Sequence, residues 1–136
     1  MSNSIVVPNA SELVLLQYLL GIAAPGDFKL RVFSNDVTPD EDTVLSDLTE
    51  VVDTSYAAIT LAHGTWTVSS VSGVAVGEYP QQTFTFSSTH DLYGYYVTDS
   101  AGTSLLWVQR GPYIAKLPAG GGTYLVTPRF RISQGS

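Results

Sequence analysis

At 136 residues the chain has the length of one domain, enough to bury about two thirds of its unfolded surface in a single core. Twelve acids against six Lys and Arg give a net charge of −6, which excludes nucleic acid as a main partner, and the lack of cysteine excludes a disulfide framework and a thiolate metal site. Charged residues make up only 13%, about half the usual share, so Ser, Thr, Gly, Gln and Asn must cover much of the exterior; that suits a surface that touches other subunits, and equally a soluble β-domain with a neutral surface.

Met1-Ser2-Asn3-Ser4 lacks the basic and long apolar regions of a signal peptide. Ile5, Val6 and Val7, stopped by Pro8, predict an edge strand or an extended arm over residues 1–8 docked on the body. Asn9 is placed to cap a helix, with Glu12 reaching back as in a capping box. The helix, residues 11–20, is too short to span a bilayer, so no membrane partner is expected. Leu13, Leu16 and Leu20 belong to a run that is apolar almost all round, with Gln17 on its least buried side and Gly21 as its left-handed stop. Such a helix plugs an open side of the core or lies in a subunit interface.

Pro25-Gly26 reads as a turn, and residues 28–33 as a strand with Lys29 and Arg31 in solvent or against acids. An acidic, turn-prone loop follows, with Asp36, Asp40 and Asp42, then a single helical turn pinned by Leu45 and Leu48. Residues 57–61 and 65–69 are strand-like around a hairpin-like corner at Ala62-His63-Gly64, and residues 71–76 continue with glycine breaks.

Residues 82–110 look like three strands of one antiparallel sheet. Phe84 and Phe86 alternate with threonines; Tyr93, Tyr95 and Val97 with Gly94, Tyr96 and Thr98; Leu105 and Trp107 with Leu106 and Val108. The last two runs meet at an Asp99-Ser100-Ala101-Gly102 turn, and Gly94 leaves room for a neighbouring ring or backbone. Gly111-Pro112 turns the chain into a strand over residues 113–117, and residues 118–122 form the most flexible tip. Residues 123–127 and 129–132 alternate again, split by Pro128 at an edge or bulge. About nine short strands and one N-terminal helix predict a mainly β fold, an antiparallel β-sandwich or barrel-like domain.

No catalytic residue, metal ligand or cofactor is assigned. His90-Asp91 near Ser87, Ser88 and Ser100 has no nucleophile-elbow pattern and reads as the polar part of a turn. The acids from Asp36 to Asp42 fail the spacing of a calcium loop. Tyr93, Tyr95, Tyr96 and Trp107 fill a core and an interface, or alternatively form a sugar platform. Seven acids lie between Asp36 and Asp53, whereas Arg110, Lys116, Arg129 and Arg131 follow Asp99 with no acid among them. These two ends cancel within the fold or meet across copies.

Three segments, residues 5–21, residues 30–39 with 48–51, and residues 92–99 with 105–108, resemble small structural proteins of tailed bacteriophages. The resemblance implies a role and no active site: a non-enzymatic virion component assembled in the host cytoplasm, foremost a capsid decoration (cement) protein. Its implied partners are the phage capsid protein and copies of itself, as a homotrimer. A tail or head-tail connector component, or a tail-tip glycan-binding module, is the alternative. Candidate contacts are Ile5, Val6, Val7 and Pro8; Leu13, Leu16 and Leu20; Asp36, Asp40 and Asp42; Tyr96; and Arg129 and Arg131.

Overall fold

Period-2 alternation underlies the strands of the central hairpin, and ten strands form among the described residues. The computed structural model describes residues 5–132, in the order β1 (Ile5–Val6), α1 (Asn9–Leu19), β2 (Phe28–Phe33), a 3-10 turn (Leu45–Asp47), β3 (Ile59–Leu61), β4 (Thr67–Val71), β5 (Val74–Glu78), β6 (Gln82–Phe86), β7 (His90–Asp99), β8 (Leu105–Leu117), β9 (Gly122–Val126) and β10 (Arg129–Ile132). The fold is mainly β, with antiparallel sheets and no closed barrel.

The β7–β8 hairpin is central, in a five-stranded sheet of order β1-β8-β7-β2-β3. Asp99 closes its turn: the carboxylate accepts the amides of Thr103 and Ser104 at 2.8 and 3.2 Å, and Gly102 takes φ +75°. Burial would raise the Asp99 pKa, but these amides and the Thr103 hydroxyl outweigh it and hold the carboxyl below its ordinary value. A Cβ on Gly94 would run into the Gln109 carbonyl oxygen and come within 2.8 Å of Arg110 Cα and 2.9 Å of the Phe33 ring. The glycine thus admits both backbone and an aromatic ring.

Two bulges depart from simple alternation. Val97 pairs with Trp107 and Thr98 with Leu105, so Leu106 is an extra residue, and both Leu106 and Trp107 join the main core. Leu105 and Val108 instead pack with Tyr96 and Phe33 in a second cluster. The other bulge lies where Leu92 pairs with Ala115 and Gly94 with Arg110. Gly111-Pro112 therefore does not turn the chain. Pro112 has no amide for the ladder, and the bulge absorbs it while β8 runs on to Leu117.

The expected three-strand sheet over residues 82–110 is corrected too, because β6 leaves the β7–β8 sheet and pairs with β9. Beside it lies a three-stranded sheet, β10-β5-β4. Pro80 separates β5 from β6 and Pro128 separates β9 from β10, and the Tyr79 amide bonds to the Pro128 carbonyl across the gap at 3.0 Å. The two small sheets are thus one antiparallel ribbon broken at facing prolines, because neither proline can donate to a ladder. The main core draws Leu30, Val32, Leu92, Val97 and Trp107 from the large sheet and Tyr79, Phe84, Phe86 and Val126 from the ribbon and its corner.

The corner at Ala62-His63-Gly64 is no hairpin, since β3 pairs with β2 and β4 with β5; the hairpin turn is Ser72-Gly73, with φ of +51° and +82°. Pro25-Gly26 lies in an irregular connection, the turn coming earlier at Gly21. The tip at residues 118–122 is held: the Gly121 amide bonds to the Pro118 carbonyl, and a Cβ there would strike the Phe86 carbonyl.

Candidate interaction surfaces

Helix α1 starts two residues before the expected span, with Pro8 as its N-cap. Pro8 is extended, at φ −63° and ψ 160°, and its carbonyl accepts the amides of Ser11 and Glu12, so neither Asn9 nor Glu12 caps with a side chain. The Asn9 amide goes to the Glu41 carbonyl at 2.9 Å, tying the acidic loop to the helix. Ser11 is drawn inward, its hydroxyl donating to the Leu105 carbonyl at 2.5 Å.

Val14, Leu15 and Tyr18 pack on the main core, with Tyr18 stacked on Phe28 at 6.3 Å. Gly21, at φ +74°, ends the helix as expected. Outside lie Leu13, Leu16 and Leu20, joined by Leu19 and Ile22, each between 50% and 78% exposed. Gln17 is exposed among them. The sequence offered a core plug or an interface, and the helix has a face for each. Five aliphatic side chains in ten residues offer on the order of 500 Å² of apolar surface, as large as the biggest patch on a typical monomer.

The N-terminal candidates sit differently. Ile5 and Val6 pair with Gln109 and Val108 of β8, Ile5 and Val7 pack on the main core, and Pro8 is buried. Of the two forms expected for this segment, Ile5–Val6 take that of an edge strand, and Pro8 opens the helix; residues 1–4 lie outside the described residues. Tyr96 is also corrected. It is 3% exposed, against Phe33 at 6.3 Å, because Arg31 and Val108 flank it in the sheet's interior. With Tyr95 and Trp107 equally buried, these side chains form no sugar platform on this surface.

One pair joins the two charged ends, Arg110 with Asp36 at 2.6 Å; Arg129 instead pairs with Glu78 at 2.6 Å, and Glu50 with Arg31 at 2.9 Å. Lys29 donates to the Thr60 hydroxyl. The exposed Asp40 accepts the Asp42 amide and the Thr43 hydroxyl within its own loop, and Asp42 and Arg131 are also exposed; none of the three is in an ion pair among the described residues. The open cleft of about 270 Å³ beside the Gly111 bulge is lined by Arg110 and Arg129, both of which already hold a carboxylate.

His90 begins β7 and does not lie in a turn, and its carboxylate partner is Asp53, not Asp91, which faces Lys116 at 3.4 Å. His90 Nε2 is 2.7 Å from Asp53 Oδ2 and 3.1 Å from the Ser88 hydroxyl, which itself donates to Asp53 at 2.8 Å. In a nucleophilic relay the serine and the carboxylate occupy opposite ring nitrogens. Here they share one, and the hydroxyl proton points at the carboxylate. Ser87 adds its amide and hydroxyl, and Ser55 its amide. The Ser55 amide, then His90 and the Ser88 and Ser87 hydroxyls, hold the Asp53 carboxyl far below the usual range against the opposing effect of burial. The cluster fastens the segment after Val51 to the β6–β7 connection.

A depressed carboxylate stabilises the fold above its unfolded pKa and loses that contribution as pH falls through its folded one. Urea unfolding followed by tryptophan fluorescence, from neutral pH to about pH 2, will show stability falling below the ordinary carboxylate range. Asp53→Ala will be less stable at neutral pH and flatter in that window; an unchanged slope would remove Asp53 as the cause.

Sequence reasoning missed Ile22 and Asp53. Ile22 joins the exposed face through the helix's orientation on the core, which the all-round apolar run does not reveal; Asp53-Thr54-Ser55 carries a turn signal but nothing pointing to His90. No group of three or more His, Cys, Asp or Glu side chains suited to a metal occurs among the described residues. No family model matches the chain, and comparison with characterised proteins and with solved structures finds no match.

Proposed function

We propose that this chain is a non-enzymatic structural component of a tailed-phage virion, a capsid decoration protein that binds the outer shell as a homo-oligomer. The resemblance to phage structural proteins supplies the setting, and the exposed leucine face of α1 carries the reading. A helix that already buries Val14, Leu15 and Tyr18 gains nothing for its own fold from Leu13, Leu16, Leu19 and Leu20 in water. Packing that face against copies of itself removes them from solvent. A trimer then engages several capsid subunits together, so modest single contacts add up to firm attachment.

Light scattering on a gel-filtration column tests the assembly. The expected mass is three times the 14.6 kDa of the chain. A monomer at every concentration would overturn the self-associating form of the reading.

A further inference from the structure

A second cleft, of about 330 Å³, opens along α1. Ala10 and Val14 form one wall, residues 43–46 another, and residues 103–105, just beyond the Asp99 turn, the third. Val14 and Leu16 lie about 200° apart around the helix, so this cleft and the outer leucine stripe are separate surfaces. Its apolar lining comes chiefly from Val14, Val44, Leu45 and Leu105, and no Lys or Arg lines it. The charge around it is one-sided. Glu12 in the first turn of α1, Asp40, Glu41, Asp42 and Asp47 in the loop, and Asp99 in the hairpin turn are six acids in the segments that form the cleft. The chain's other six acids equal its six Lys and Arg in number, so the whole net charge of −6 resides here. None of these six is in an ion pair among the described residues. The positive end of the α1 dipole, about half a charge, offsets little of it.

We infer that this cleft docks a basic, partly apolar polypeptide segment of another protein, its aliphatic side chains over Val14, Val44 and Leu45 and its Lys or Arg among the flanking acids. Charge selects that occupant. Like charges gathered this closely raise one another's energy; a cationic partner relieves the repulsion, and a second acidic chain adds to it. A second copy has little to offer in any case. Arg31, Arg110, Lys116 and Arg129 each hold a carboxylate and Lys29 donates to Thr60, which leaves Arg131 among the described residues. Residues 1–4 and 133–136 contain no Lys or Arg, so those segments of the same chain do not fit either. The inference stands apart from the virion reading, because it names the chemistry of the partner and not its source.

An NMR titration of the full chain with a synthetic octapeptide of alternating lysine and leucine tests it. Saturable shifts are expected in the amides of residues 43–46 and 103–105, with a Kd below about 1 mM at low salt. The same peptide with glutamate for lysine should not bind, and one with serine for leucine should bind at least about tenfold more weakly, having lost its aliphatic contacts. Glu41 and Asp42 hold the loop through backbone groups, the carbonyl to Asn9 and the amide to Asp40. Glu41→Gln with Asp42→Asn therefore keeps the loop and should weaken binding roughly threefold to tenfold, whereas Asp27→Asn with Asp91→Asn, the same change of charge elsewhere, should not. Ser46→Arg puts a cation of the chain's own beside the cleft and should abolish binding. Leu16→Glu with Leu20→Glu should leave it intact. Shifts scattered over the whole surface, equal binding of the serine peptide, retention by Ser46→Arg, or loss in the Leu16→Glu and Leu20→Glu variant would each overturn the inference. Failure of the virion reading would show in the oligomeric mass and leave these titrations as they are.

Discussion

Replacing Leu16 and Leu20 together by glutamate is expected to reduce the proposed oligomer to a 14.6 kDa monomer while the fold stays intact. The two side chains are 50% and 67% exposed in the free chain, so their loss costs the fold little, within about 0.5 kcal/mol each for surface positions, and glutamate is as good a helix former as leucine. In an interface each buried leucine contributes about 2 kcal/mol, and a carboxylate in its place adds a desolvation penalty. Self-association should weaken by at least about a hundredfold. Light scattering across a dilution series measures the shift, and thermal unfolding checks the fold. An oligomer of unchanged mass and affinity would exclude the α1 face as the interface.

Gly94→Ala should be the most damaging methyl added at a glycine of the large sheet. The added Cβ meets the Gln109 carbonyl, Arg110 Cα and the Phe33 ring together, and two of the three are backbone of the paired strand. Relief requires β7 and β8 to separate at the centre of the large sheet, so the expected cost is about 3 kcal/mol or more. The melting temperature should fall on the order of 10 °C. Gly120→Ala is the control: nothing lies within 4 Å of its Cβ, and its φ is not positive, so it should be neutral or slightly stabilising. Similar melting temperatures for the two variants would refute the close approach at Gly94.

Much of the candidate surface was readable in part. Leu13, Leu16 and Leu20 stood out because a greasy two-turn helix must hide from water, but which face it hides depends on Tyr18 stacking on Phe28, a contact made by β2. Tyr96 illustrates the opposite case. An aromatic in a strand serves a core or a platform equally well, and only its place between Arg31 and Val108, against Phe33, makes it interior. Arg129 and Asp36 looked like partners for other molecules, yet Glu78 and Arg110 meet them within the chain.

Local chemistry in the sequence determined the strands of the central hairpin, the Asp99 turn, the glycine at position 94, the helix and its Gly21 stop, and the short turn pinned by Leu45 and Leu48. Each rests on neighbours a few residues apart, where side-chain period and backbone freedom act directly. Tertiary structure alone decided that β6 pairs with β9, that Pro112 lies in a bulge, that Pro80 and Pro128 break one ribbon in register, and that Asp53 meets His90. Those outcomes depend on hydrogen-bond partners remote in the chain. An alternating strand presents the same backbone groups to any neighbour, and packing of the whole core chooses among them.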